Sequence, residues 1–380
     1  VTILAASAVL GVDAEAAARV AEWEDLAAHA VEPNIFYEPW FLRPALESLP
    51  GGQAVRLALV HSVEAGRRPL LVGLFPLDRR RPRLRAPVTR LALWTHKQCF
   101  LCTPLLREGH AEAALGALLE ALAARREPAV LELELVRADG PFQRALVEVL
   151  RTRERPSYRA DAYNRALLVP AESAEAYLTE RLHRKRRKEF KRLESRLGKV
   201  GRLTYDALAP GADPAPWVEE FLALEGAGWK RATSLASRPG ERRFFEAAVA
   251  GAHARGRLDM LAIRLDGRAV AAKCNFSSGK GEAFSFKIAY DEAYRQYSPG
   301  VLLELENIRR FHAAPGARWM DSCAQPDHPM ANRIWGERRG IEHTLVATGR
   351  APGDLAVSLL PLLRWAYRRV RRAPKGGDQA

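Results

Sequence analysis

The sequence predicts an α/β fold with mixed sheets, arranged as two domains in tandem joined by a basic helix. Three observations predict it. The chain has 380 residues, and about 100–200 residues per domain is usual. Strand-like and helix-like stretches alternate through both halves. Between the halves, residues 173–197 keep a helical period but are crowded with Arg181, His183, Arg184, Lys185, Arg186, Arg187, Lys188, Lys191, Arg192 and Arg196. The expected divisions are an N-terminal domain at 1–170, a basic helical connector at 171–200, a C-terminal domain at 201–350, and a basic helix and tail at 351–380.

In the N-terminal half, residues 13–30 read as a helix with Val20, Trp23 and Ala27 on one face, followed by a dense aromatic group, Phe36, Tyr37, Trp40 and Phe41. Residues 53–63 and 69–78 read as two strands around Glu64-Ala65-Gly66. A helix at 111–125, a strand at 129–136, a helix at 142–150 and a strand at 158–169 follow. The connector has only a thin apolar stripe, Tyr177, Leu178, Leu182, Phe190, Leu193 and Leu197, and ends at Gly198 and Gly201.

The C-terminal half is cleaner. Strands are expected at 203–205, 260–265, 269–276, 283–290, 318–323 and 343–348, with Asp266-Gly267 a strong hairpin turn. Helices are expected at 214–226, 241–255, 300–312 and 329–338. The order is β-α-α-β-β-β-α-β-α-β, and an amphipathic basic helix at 355–372 closes the chain.

Composition bounds the function. The net charge is +14 with a pI near 10.0, which fits nucleic acid, anionic lipid, an acidic carrier protein or a phosphorylated ligand, or simply a solvated arginine-rich surface. Four cysteines, Cys99, Cys102, Cys274 and Cys323, are too few for a disulfide framework and suit a reducing compartment. His96, Cys99 and Cys102 form an H-x-x-C-x-x-C run without a second ligand pair, so no metal is expected. No signal peptide stands out, and no apolar run nears the roughly 20 residues of a membrane span. The expected location is the cytoplasm, in solution or on the inner membrane surface.

Several residues carry the resemblance to a family. They are Glu225-x-x-Gly-Trp229-Lys230, Tyr290-Asp291-x-x-Tyr294, Ser298-Pro299-Gly300 and Met320-Asp321-Ser322-Cys323. Taken in order with the element pattern, they resemble the GNAT acyltransferases, in particular the cellulose and exopolysaccharide biosynthesis acetyltransferase group. That group is similar to the Fem-type peptidyltransferases, which carry two GNAT-like domains joined by a helical connector. Asn34-x-Phe36 to Trp40 and Phe75-Pro76-Leu77 look like that group's N-terminal half. The resemblance implies two GNAT-like domains and acyl-CoA, acetyl-CoA or a longer chain, as co-substrate. The acceptor would be a small molecule, or a polysaccharide, lipid or sphingoid-base precursor. Where most members carry Arg/Gln-x-x-Gly-x-Gly/Ala, this chain has Arg295-Gln296-Tyr297-Ser298-Pro299-Gly300. That departure keeps an aminoacyl-tRNA or an acidic carrier protein open as donor.

Ser298, Pro299 and Gly300, with Arg295 before them, open a helix whose N–H groups and dipole suit a phosphate; Ser-Pro-Gly also simply caps helices. Alternation puts Lys273 and Asn275 on one face of their strand, and Ser285 and Lys287 on the matching face of the next. Keeping the apolar faces together pairs Lys273 with Lys287 and Asn275 with Ser285. The two lysines then either hold an anion or stand in water. Asp321, inside an apolar strand, is a base or acceptor-orienting group, or half of a salt bridge. His328 is a loop base or ligand clamp, and Tyr294 a proton donor to a leaving thiolate or a packing residue. Trp229 and Lys230 line an entrance, or Trp229 anchors the core. The reading is acyl transfer to an amine or hydroxyl by direct attack. Its rivals are a tRNA- or carrier-dependent transferase and a non-catalytic GNAT-like binding module.

Overall fold

A computed structural model describes residues 3–9, 19–82, 88–227 and 234–372, with side chains from residue 19 to 365. Trp229 and Lys230, and the start of the helix expected from residue 13, lie outside the described residues.

The C-terminal half follows the expected order. Strand β8 (Leu203–Ala207) leads to helices α7 (Ala215–Ala227) and α8 (Pro239–His253). Strands β9 (Leu258–Leu265), β10 (Arg268–Ser277) and β11 (Glu282–Tyr290) form an antiparallel meander. Helix α9 (Pro299–Ala313), the short strand β12 (Trp319–Asp321), helix α10 (Pro329–Ile334) and strand β13 (Glu337–Ala347) complete it. In the N-terminal half the expected strands are β2 (Arg56–Val63), β3 (Leu70–Arg80), β6 (Val130–Arg137) and β7 (Ser157–Leu168). The helices are α1 (Val20–Ala28), α3 (Ala111–Ala124) and α4 (Pro141–Thr152). Strands β1 (Ile3–Val9), β4 (Arg90–Leu93) and β5 (Leu105–Leu106) and helix α2 (Pro39–Ser48) are additions. The basic connector is two helices, α5 (Ala174–Arg181) and α6 (Arg184–Leu197), and a last helix, α11, covers Ala351–Arg372.

The sheet is continuous, in the order β1-β2-β3-β4-β6-β13-β7-β12-β11-β10-β9-β8, with β5 beside β3. Each half contains one parallel pair, β4 with β6 and β11 with β12. The last strands are exchanged. β13 inserts between β6 and β7, while β7 lies against β12. The chain is thus two sheet-and-helix units in tandem, each completing its sheet with the other's final strand.

A shared core reinforces the exchange. The aromatic group read from the sequence lies at its centre, with Phe36, Tyr37 and Phe41 fully buried. Phe41 meets Phe244 at 5.1 Å and Phe286 at 5.9 Å, and Phe36 meets Phe284 at 5.4 Å, mostly edge to face. The N-terminal aromatics therefore pack directly beneath strand β11 of the other half. Such contacts add about 0.5–1.5 kcal/mol each beyond area burial. Replacing Phe41 with Ala should cost about 3–5 kcal/mol. Because the cavity opens between the halves, far-UV circular dichroism and tryptophan fluorescence should still trace one coincident unfolding transition.

Candidate active site

Strand β12 is three residues long for a local reason. The Asp321 carboxylate accepts the backbone N–H of Cys323 at 2.9 Å. Cys323 takes left-handed backbone, φ 53°. The N–H that would extend the ladder is thereby used, and the chain turns away. Pairing of β11 with β12 accordingly ends at Phe284 opposite Asp321. Beyond this point the strands diverge.

At the same level β11 carries a bulge. Asn275 faces Ser285 as expected, but Cys274 faces Lys287 and Lys273 faces Ile288, leaving Phe286 as the extra residue. A bulge leaves one residue unpaired and re-aims its neighbours. The expected Lys273–Lys287 pairing is therefore corrected. Lys273 is 1% exposed and donates to Glu304 of α9 at 2.8 Å and to Ser285 Oγ at 2.6 Å. Lys287 lies 3.5 Å from Glu225 of α7. α7 packs on the aromatic side of the sheet and α9 on the other, so each lysine has its own carboxylate on its own face.

The divergence opens a small cleft of about 50 Å³. Lys273, Ser285, Lys287, Glu304, Ser322 and His328 line it, and Trp335 and Met330 close it. Behind it runs a buried polar network. Glu304 Oε1 accepts from Asn307 at 2.8 Å and from the Trp335 indole at 3.1 Å. Asn307 Oδ1 accepts from Asn275 at 2.8 Å, and Asn275 also donates to Asp259 at 3.1 Å. Every member pins another, which fixes Lys273 and hence the Ser285 hydroxyl.

The structure sorts the other candidates. Asp321 is fully buried and lies between Arg165 of β7, at 2.7 Å, and Arg339 of β13, at 2.9 Å. Burial alone would raise its carboxyl, but Arg165 and Arg339, helped by the Cys323 N–H, hold it below its ordinary value of 3.8. The salt-bridge alternative is the arrangement observed, with the carboxylate held by two guanidinium groups and a backbone N–H. His328 is half-buried, and its Nδ1 accepts the Ala331 N–H at 3.2 Å, capping α10. In a neutral ring the proton then sits on Nε2, giving a donor rather than a base. Tyr294 packs with Leu197, Ile288 and Leu302 rather than lining the cleft. Arg295 is exposed, and its carbonyl accepts from Ser298. Ser298 is left-handed, φ 52°, and its carbonyl starts α9 by accepting from Val301 and Leu302. Pro299 and Gly300 are buried. A Cβ at Gly300 would stand 3.3 Å from the Tyr290 ring, so the glycine makes room for that tyrosine against the start of α9.

Sequence reasoning missed Glu304, Ser322 and Trp335 as site residues. Glu304 had a visible signal, a lone carboxylate in Val301-Leu302-Leu303-Glu304-Leu305. All four cysteines are free and buried. Cys274 and Cys323 have thiols pushed up by burial first, so neither is a thiolate at neutral pH. Cys99 Sγ and Cys102 Sγ are 3.5 Å apart. Among the described residues no group of three His, Cys, Asp or Glu could hold a metal ion.

Replacing Asp321 with Asn leaves two buried guanidinium groups without an anion and should cost about 3–5 kcal/mol. The sign with pH follows from the lowered carboxyl. Its contribution is complete above the unfolded-state value, near 3.8, and is lost as pH falls toward the folded-state value. Urea titrations from pH 6 to pH 3 should show wild-type stability falling below about pH 4, with a shallower fall in the variant.

Residues 184–328 match the model for the acetyltransferase (GNAT) domain, beginning at helix α6. No curated protein matches the chain. Among solved structures, FemX superimposes with a TM-score of 0.56 at 10% identity, covering 86% of this chain and 95% of that one. L-PGS from Bacillus licheniformis superimposes with a TM-score of 0.53 at 11% identity, covering 93% and 98%. At such identities the likeness concerns the fold. The chain therefore has the tandem GNAT-like fold, and its residues 184–328 are the part that matches the GNAT acetyltransferase domain.

Proposed function

We propose that the protein is an acyltransferase that moves an acyl group from an acyl-CoA thioester to an amine or hydroxyl acceptor by direct attack. The 201–350 half would hold the reacting centre, with the 1–170 half as its GNAT-like support. The observation that carries this reading is the coincidence of three features at one level of the sheet: the end of β11–β12 pairing, the bulge at Phe286, and the polar cleft between them. Unpaired strand edges there offer backbone groups to the pantetheine arm and to the thioester carbonyl.

Ser285 would donate the key hydrogen bond and relay the proton. Its oxygen accepts from the Lys273 ammonium, so its own O–H is free to point into the cleft. We assign its O–H as the hydrogen-bond donor to the carbonyl oxygen as negative charge develops; as the C–S bond breaks, the proton lost by the attacking amine or hydroxyl passes through this hydroxyl to the departing thiolate, which leaves as the thiol with the serine unchanged. The His328 Nε2–H is a second donor on the opposite wall. Lys287, between the cleft and Glu225, would offset anionic charge on the donor. The raised thiols of Cys274 and Cys323 favour direct transfer over an acyl-cysteine intermediate. In this proposal Arg295, Ser298 and the α9 start meet the donor's phosphates, which requires the Tyr290 ring to swing off Gly300.

A thermal-shift panel of acetyl-CoA, long-chain acyl-CoA and free CoA tests this. A ligand at 100 times its Kd stabilises the native state by about 2.7 kcal/mol, so at least one thioester should raise Tm clearly. No shift with any of the three contradicts the proposal. Ser285→Ala should keep the fold and lower kcat about 10²–10³-fold with the best donor, whereas an unaltered kcat removes the serine from the chemistry.

One observation favours a second source for the acyl group. On α6, Arg184, Lys185, Lys188, Lys191 and Arg192 are exposed, and none makes an ion pair among the described residues. Such a stripe suits an acidic carrier protein or tRNA as donor carrier. Charge reversal at Lys188 and Arg192 should then weaken donor affinity and flatten its salt dependence, while leaving turnover of free acyl-CoA unchanged.

A further inference from the structure

Helix α11 is amphipathic in an unusual sense. Its inner face, Val357 and Leu360, packs on Val130, Leu345 and Ala347. Arg364 on the same face donates to the Ala160 carbonyl and lies over the Tyr158 ring at 5.7 Å. The opposite face is apolar too. Leu355, Leu359, Leu362, Leu363 and Trp365 are 63%, 40%, 62%, 52% and 60% exposed. They are five of the ten large apolar side chains exposed among the described residues, so outward apolar surface is concentrated on this one helix. The spacing Leu355, Leu359, Leu362 is that of a continuous helical stripe.

A stripe of this kind needs an occupant. Charge identifies the partner's chemistry. From residue 364 onward the sequence holds Arg364, Arg368, Arg369, Arg371, Arg372 and Lys375 against Asp378 alone, in a chain of net charge +14. A second copy would bring the same cationic end to the contact. An anionic bilayer offers both phosphates for the arginines and an acyl boundary for the leucines. No helix among the described residues is long and apolar enough to cross a membrane, so the geometry is that of a helix lying in the interface.

We propose that α11 docks the protein flat on an anionic lipid surface. The Leu355–Trp365 face would enter the headgroup–acyl boundary, and the arginine-rich end of the helix would lie at the phosphates. This does not rest on the transferase reading. The test is sedimentation of the full chain with phosphatidylcholine vesicles and with mixed phosphatidylglycerol–phosphatidylcholine vesicles. Binding is expected on the anionic vesicles only, and is expected to weaken as salt is raised. The Leu359→Asp/Leu362→Asp double variant changes outward side chains, so it should melt like wild type and lose at least about tenfold in partition constant. Trp365→Phe gives an independent readout: anionic vesicles should blue-shift wild-type fluorescence, and the variant should lose that shift. Absence of wild-type binding overturns the proposal, as does undiminished binding by the double variant, which would transfer the anchor to α6. A dimer seen by light scattering that the double variant dissolves, without vesicle binding, would assign the face to a second copy.

Discussion

The carboxylate of Asp321 is the point on which the architecture turns. It is buried from water, yet it accepts from Arg165 on one neighbouring strand, from Arg339 on the next, and from the Cys323 backbone N–H. An isolated buried charge would be prohibitive, and so would either guanidinium alone. Together they lock β12, β7 and β13, which come from both halves of the chain. Arg165 also donates to the Phe100 carbonyl at 2.5 Å, and Arg339 stacks on Trp319 at 3.8 Å, so the lock reaches into the aromatic core. The same carboxylate ends β12. Structural integrity and the opening of the cleft are therefore consequences of one side chain.

The exchange of final strands gives this lock its value. The strand beside each parallel pair, β13 next to β6 and β7 next to β12, would complete a self-contained unit only if it came from the same half. Here it comes from the other, so neither half can complete its sheet alone. The aromatic contacts of Phe36 and Phe41 with Phe284 and Phe286 then press on β11 from beneath, at the residues around the bulge. On the other face, Lys273, Glu304, Asn307 and Trp335 hold the polar wall of the cleft. The N-terminal half supports the site mechanically, while the described residues that line the cleft all come from the C-terminal half.

Much of this was legible in the sequence. The C-terminal order of strands and helices followed from apolar period and from turns such as Asp266-Gly267, because those signals are local. The aromatic group at 36–41 announced a core. The bulge did not announce itself: Phe284, Phe286 and Ile288 alternate as though the strand were regular, so the register of Lys287 came out one residue wrong and on the wrong face. Asp321 was conspicuous as a carboxylate in an apolar strand, but its partner Arg165 lies 156 residues away, out of reach of spacing arguments. That Tyr290 lies over Gly300 was not legible either, because the two meet only once the preceding strand and α9 are packed.

The central claim is that a thioester donor enters where β11 and β12 part. Amide hydrogen exchange with and without acyl-CoA tests it at residue level. The account predicts added protection confined to the bulge at 285–288, the start of α9, and the 322–328 loop with the first turn of α10. Protection elsewhere, or none at these segments while the ligand is bound, would contradict it.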